Sequence, residues 1–271
     1  MFKVSCFADE ISPDFQVQID LCKKLGFNYI ELRSAYDTNL LDLDDDKLAF
    51  IKSQLEKNCI KVSAIGSPIG KYYLEDDFLP HYKKFEHALD LAHYFDCKYV
   101  RIFSFYSKED ISTKSDEVVA RLKKMVAKAE EKDIILVHEN EEMIYGHPAK
   151  ACLELAEKID SKYFQLVIDP ANYCLAGEAP FDYSYQVTKQ FVNYIHAKDY
   201  SHESKSMVKV GLGDGQFDQL LPEFKNRDIF ITLEPHLDVA GQYRGFSGPE
   251  LFSEAYESLI SCLKRNDLDF V

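Results

Sequence analysis

The sequence predicts an α/β chain folded as a (β/α)8 TIM barrel, and three observations carry that prediction. Eight short apolar, β-branched runs recur along the chain with segments of helical period between them. Their starts lie about 25 to 37 residues apart, the length of one βα unit. The 271 residues match the roughly 250 that eight such units need.

The runs place strands at residues 3–8, 28–32, 61–66, 98–103, 134–139, 164–169, 192–197 and 229–234. Between them, Ser12-Pro13 reads as a helix start with Pro at the first helical position, and Gly26 as its stop. Asp44 is placed to cap a helix whose core face is Leu48, Ile51 and Leu55. Val118, Val119, Leu122, Met125, Val126 and Ala129 follow helical spacing, with Lys and Glu on the other face. Ser247 and Glu250 have capping-box spacing before a last helix carrying Leu251, Ala255 and Leu259. An open doubly wound sheet is the rival fold. It would normally carry a glycine-rich turn after the first strand, where this chain has Ala8, Asp9, Glu10 and Ile11.

No stretch rich in Gly, Pro or Ser divides the chain, so residues 1–271 read as one domain. The net charge of −14 repels phosphate backbones and argues against nucleic acid as partner. Seven widely spaced cysteines without a C-x-x-C argue against structural zinc and a disulfide framework. Reduced thiols, no leader pattern and no long apolar stretch point to a soluble cytoplasmic protein with no membrane partner. A homo-oligomer is compatible with all of this.

In a parallel barrel the chemistry sits at the C-terminal ends of the strands. The last four predicted strands end in or contain Glu139, Asp169, His196 and Glu234, each after an apolar run. A strand-end carboxylate often does no more than cap the next helix. Four polar residues on consecutive strands are harder to explain that way. Three carboxylates converging on one mouth repel unless a cation joins them. A single divalent metal offsets that repulsion, and three oxygens with one nitrogen suit Mn2+, Mg2+, Co2+ or Zn2+.

The chain resembles the sugar isomerase/epimerase superfamily of xylose isomerase-like barrels. The motifs that carry the resemblance are HENE at 138–141, DPAN at 169–172, HAKD at 196–199, GLGDG at 211–215 and LEPH at 233–236, with ADEIS and IELR near the start. The resemblance implies metal ligation by Glu139, Asp169, His196 and Glu234. It also implies proton transfer next to the carbonyl of a small carbohydrate through a metal-stabilised enediolate, with Glu139 and Glu234 as the catalytic acid–base pair. Ketose 3-epimerases of this kind carry a His three residues after the strand-six Asp and an Arg six residues after the metal His. Here those positions hold Asn172 and His202. Asn172 and Lys198 become candidates for substrate contact, with Glu141, two residues past Glu139.

Other residues have weaker expectations. Glu31 and Arg33 end strand two and could hydrogen-bond sugar hydroxyls; as an alternating pair, one is expected to face the barrel and one the helices, with Glu31 favoured inside. His138 is expected to be packed and hydrogen-bonded, and His236 to support a ligand. The glycines at 211–215 could cradle a phosphate, although tight turns are their commoner use. Phe7, Phe103 and Phe105 could wall a pocket or pack the core.

Three rival functions are weighed. An abasic-site endonuclease needs extra His ligands on earlier strands, where this chain has Ser67-Pro68 and Ser104. A keto-inositol dehydratase shares the enolate-forming step and is the main alternative. A non-catalytic ligand-binding barrel would keep the fold and lose the facing carboxylates, and both are present.

Overall fold

Eight strands form one parallel sheet that curls into a ring. They are β1 (Phe2–Cys6), β2 (Tyr29–Leu32), β3 (Lys61–Ile65), β4 (Tyr99–Ile102), β5 (Ile135–Glu139), β6 (Phe164–Ile168), β7 (Val192–Ala197) and β8 (Ile229–Leu233). Each lies inside or within a residue of its predicted run. The hydrogen-bonded order is β1-β8-β7-β6-β5-β4-β3-β2, and β1 lies beside β2, so the ring is nearly closed. The computed structural model describes residues 1–238 and 246–271.

Long helices follow strands one to five and eight: α1 (Phe15–Leu25), α2 (Asp45–Lys57), α3 (Phe78–Tyr94), α4 (Ser115–Glu131), α5 (Ala149–Ile159) and, at the end, Gly248–Arg265. Each buries its apolar stripe against the outside of the sheet. Units six and seven instead use short pieces, Pro170–Leu175, Pro180–Tyr185 and Phe217–Leu220. Among the described residues, no helix is long and apolar enough to cross a membrane.

Asp44 caps α2 through Lys47 N at 2.8 Å, and Gly26 ends α1 in the left-handed region at φ 85°. Two helix starts differ from expectation. Pro13 precedes α1 and Asp14 caps it, accepting from Gln16 N and Val17 N. Ser12 Oγ is already used to accept from Asp14 N. Ser247 precedes the last helix without capping it. Its hydroxyl donates to Glu10 Oε2 at 2.8 Å and accepts from Leu237 N, binding the end of the barrel to its beginning.

The loop after β3 extends the sheet past its rim. Phe103 N donates to Ile69 O, Phe105 N to Gly70 O and Tyr106 N to Tyr72 O. Gly70 is required there: its φ is +93°, and a Cβ would stand 2.1 Å from Phe103 O. His81 on α3 holds the same loop, its Nε2 accepting from Gly70 N at 2.9 Å.

Candidate metal centre and barrel mouth

Side chains alternate across a strand, so a residue two places beyond a barrel-filling side chain also points inward. Val137, Val167 and Tyr194 fill the interior with Ala64. Two residues further on stand Glu139, Asp169 and His196. Glu234 stands two beyond Thr232, which bonds Tyr194 OH inside the barrel at 2.9 Å. All four are buried. One ligand atom from each lies within 4.8 Å of every other.

His196 Nδ1 is 3.1 Å from Glu139 Oε1 and 3.6 Å from Glu234 Oε2. Its Nε2 faces Glu31 Oε2 at 3.3 Å. Asp169 Oδ1 caps the following helix by accepting from Asn172 N at 3.0 Å, while Oδ2 faces Lys198 Nζ at 2.7 Å. Capping and site chemistry therefore use the two oxygens of one carboxylate. Asp169 Oδ2, Glu234 Oε2 and both His196 nitrogens have no directed hydrogen bond among the described residues. Buried polar atoms in that condition are costly unless a cation or substrate engages them.

Electrostatics at the cluster are those of crowded, desolvated charges. Burial would raise the Glu139 carboxyl, but His196 and Arg101 outweigh it and hold it well below the usual range. Burial opposes Glu234 in the same way, and Lys198, His236 and Arg33 keep it low. Asp169 is pushed up to about 7 by burial, with Glu139 and Glu234 adding to the rise against Lys198. Burial disfavours charge on His196, yet Glu139 and Glu31 push it up to about 10. Asp169 and His196 therefore hold protons that a bound dication would displace.

The opposite half of the mouth is cationic and aromatic. Arg33 donates from Nε to Asp9 and from Nη1 to Glu234, each within 2.8 Å. Its guanidinium lies 4.2 Å from the Phe7 ring centre. Arg101, from β4, donates to Glu139 Oε2 at 3.1 Å and to the carbonyls of Gly66 and Ser67. It lies about 5 Å from both the Phe7 and Phe103 rings. Lys71 sits 4.4 Å over Phe103 and pairs with Glu141 at 2.7 Å.

The structure relocates several of the expected contacts. Glu31 lies below His196 and not at the rim: its Oε2 accepts from Tyr194 OH and Thr232 Oγ1, both at 2.9 Å. Past a register shift between Ile30 and Glu31, it pairs with the interior Ala64. Arg33, two residues on, shares that face and enters the mouth instead of turning to the helices. Lys198 is a buried partner of Asp169 and Glu234. Asn172 donates to Asn140 O at 2.7 Å and reaches Glu139 Oε1 at 3.5 Å. Glu141 stands at the rim on Lys71, outside the four-residue cluster.

His138 faces outward and is buried, but neither ring nitrogen has a hydrogen-bond partner among the described residues. Burial lowers it to about 4. The glycine cradle at 211–215 is filled from within: Asp199 accepts from Gly211, Gly213 and Gly215 N at 2.8–3.0 Å. A Cβ at Gly213 would come 2.5 Å from Asp199 Oδ1. His236 Nε2 lies 3.3 Å from both Glu234 and Glu10. His202 is exposed, its backbone bonded to Asp214. Phe7 packs edge-on against His196 at 5.2 Å and so does meet the site.

Arg101 and Glu10 escaped the sequence reading. A charged residue inside the apolar run 98–103 was the available signal for Arg101. Glu10 finds Ser247 and His236 only through the closed ring.

A family model described as xylose isomerase-like TIM barrel matches residues 19–262. Comparison with curated protein sequences finds no match. Among solved structures, the probable 3-DHS dehydratase of Bacillus anthracis superposes with a TM-score of 0.77 at 19% identity, covering 95% of this chain and 98% of that one. D-psicose 3-epimerase of Clostridium cellulolyticum, solved with D-tagatose, gives 0.73 at 13% over 97% and 98%. A xylose isomerase-like protein of Mycobacterium smegmatis, solved with magnesium, gives 0.67 at 14% over 98% and 97%. At these identities the likeness is one of fold.

Proposed function

The chain belongs to the xylose isomerase-like TIM barrel family, and from that premise we propose that it is a divalent-metal-dependent isomerase or epimerase of sugars or sugar phosphates, acting by proton transfer next to a carbonyl. One observation carries the reading. Glu139, Asp169, His196 and Glu234 bring ligand atoms within 4.8 Å of one another at the ends of consecutive strands, and several of those atoms lack a directed hydrogen bond. Three carboxylates and an imidazole fit Mn2+, Mg2+, Co2+ or Zn2+.

A divalent ion held by these four residues would supply Lewis acidity toward a carbonyl oxygen and its neighbouring hydroxyl. The protein residues do the rest. Glu31 receives the Nε2 side of His196 and leaves Nδ1 toward the carboxylates, the arrangement that fixes a ligating tautomer. Glu139 and Glu234 share removal and return of the carbon-bound proton. Both are ionised at neutral pH, the form a base requires. Their low proton affinity makes positioning a large part of the rate. Asn172 and Lys198 hold Glu139, Asp169 and Glu234 in place.

The test joins metal analysis to solvent deuterium exchange into a panel of ketoses, aldoses and keto-inositols. About one divalent ion per chain is expected, together with exchange that disappears in Glu139→Gln and in Glu234→Gln. Undiminished exchange in either variant refutes the paired-glutamate mechanism. Full metal content in Glu234→Ala removes that residue from the ligand set. Product analysis separates an isomerase or epimerase from a dehydratase, in which water leaves after the same first step.

A further inference from the structure

The β1–β4 half of the mouth is built of cations stacked on aromatic faces. Arg33, Phe7, Arg101, Phe103 and Lys71 succeed one another, each cation 4.2–5.0 Å from a ring centre. Gly66 keeps the row tight, since a Cβ there would come 2.8 Å from Phe7 and 3.1 Å from Arg33. Such stacking fixes a guanidinium in orientation without using its N–H groups.

Many of those N–H groups remain open. Arg33 donates through Nε and Nη1, and its Nη2 has no hydrogen-bond partner among the described residues. Lys71 donates only to Glu141, with its side chain 34% exposed. Arg101 Nε is buried without a partner. By contrast, the Glu139, Asp169 and Glu234 side chains are at most 3% exposed. Where the mouth is open to solvent, Arg33 and Lys71 therefore add donors, whereas the unpartnered acceptors Asp9 Oδ1, Asp169 Oδ2 and Glu234 Oε2 are buried. A neutral polyol presents a donor with every acceptor, whereas a carboxylate or phosphate presents acceptors alone.

We infer that the molecule bound at this mouth carries an anionic group, a carboxylate or a phosphate monoester, seated on Arg33, Arg101 and Lys71 beside the reacting carbonyl. The inference rests on the proton-transfer reading of the same site and adds the substrate's charge. Arg33 and Arg101 also touch Glu234 and Glu139, so the seat is tied to both proton-carrying groups.

The test is calorimetric and needs no turnover. Erythritol, erythronate and erythritol 4-phosphate are titrated into protein loaded with Mg2+. At least one anion is expected to bind about 10-fold or more tightly than erythritol, since one charge-assisted contact is worth about that factor. Tighter erythronate identifies a sugar acid, tighter phosphate ester a sugar phosphate. Lys71→Gln should weaken the anion about 5-fold or more and leave erythritol unchanged; Arg33→Gln, which also releases Glu234, should weaken the anion more than it weakens erythritol. Arg33→Lys, which keeps the positive charge, should recover part of the loss.

Binding of erythritol within about 3-fold of both anions, or no binding of any of the three at about 10 mM, overturns the inference. An anion preference that survives both Gln variants overturns it too. Deuterium exchange separates the two readings. Exchange into a neutral ketose without anion preference removes only the anionic seat. Anion preference without exchange into any carbonyl compound removes only the proton-transfer reading.

Discussion

On the β5–β8 side of the mouth the strand ends carry Glu139, Asp169, His196 and Glu234; on the β1–β4 side Phe7, Arg33 and Arg101 extend toward them, with Lys71 beyond on the loop after β3. The first set is buried and has atoms that no directed hydrogen bond satisfies. The second is held by ring faces, carbonyls and the carboxylates of the first set, and keeps N–H groups open. A barrel mouth divided this way can concentrate negative charge for a cation on one side. The opposite side supplies the compensating charge that lets the carboxylates stay ionised.

The largest expected effect comes from emptying the acidic half. Asp169→Asn removes one charge and should drop bound metal from about one ion per chain to about a tenth of that, and deuterium exchange by about 10³-fold or more. Elemental analysis with exchange NMR checks it. Full metal retention would break the comparison, because Asp169 would then be only a helix cap.

Arg101→Met attacks the other half. It strands the Glu139 carboxylate and the carbonyls of Gly66 and Ser67. Breaking a buried ion pair by removing one partner should cost about 3–5 kcal/mol in urea unfolding. Adding Mg2+ should shrink that loss, since a dication takes over part of the neutralisation of Glu139. An equal loss with and without Mg2+ would show that the two halves do not compensate one another.

Asp199→Ala sharpens the contrast from outside both halves. It leaves the N–H groups of Gly211, Gly213 and Gly215 without their acceptor. A loss of about 2–3 kcal/mol by thermal melting is expected, with metal content unchanged.

The smallest effect is set by pH at the loop that carries Lys71. Burial lowers His81 to about 4, with Lys84 and Arg121 adding to the effect. The folded ring therefore stays neutral and accepts from Gly70 N. The stability it contributes is complete above its ordinary value near 6.5 and is lost as pH falls from there toward 4. The loss should reach roughly 2 kcal/mol in urea midpoints. His81→Gln, which keeps an acceptor without titrating, should flatten that part of the profile. An unchanged slope would place the titration elsewhere.

Much of the four-residue cluster was legible because each member stands at the end of an apolar run, where period-two alternation turns it inward. That signal picks out Glu139, Asp169, His196 and Glu234 without reference to any neighbour. The same alternation, applied to Glu31 and Arg33, puts both on one face; the expectation of opposite faces overlooked that they are two residues apart. Other features had no local mark. Ser247 has the spacing of a cap, yet Glu10, 237 residues away in the chain, takes its hydroxyl. The glycines at 211–215 look like a phosphate cradle until Asp199 is found inside it.

The sequence by itself determined the eight strands, their faces and the acids at their ends, because those follow from spacing and burial along one short segment. Only the tertiary structure decided which partners meet: Arg101 with Glu139, Arg33 with Glu234, Glu31 with His196 and Glu10 with His236. Arg101 and Glu139 meet across the neighbouring strands β4 and β5; the other three contacts exist because closing the sheet into a ring brings the ends of β1 and β2 to those of β7 and β8, a proximity that no local pattern encodes.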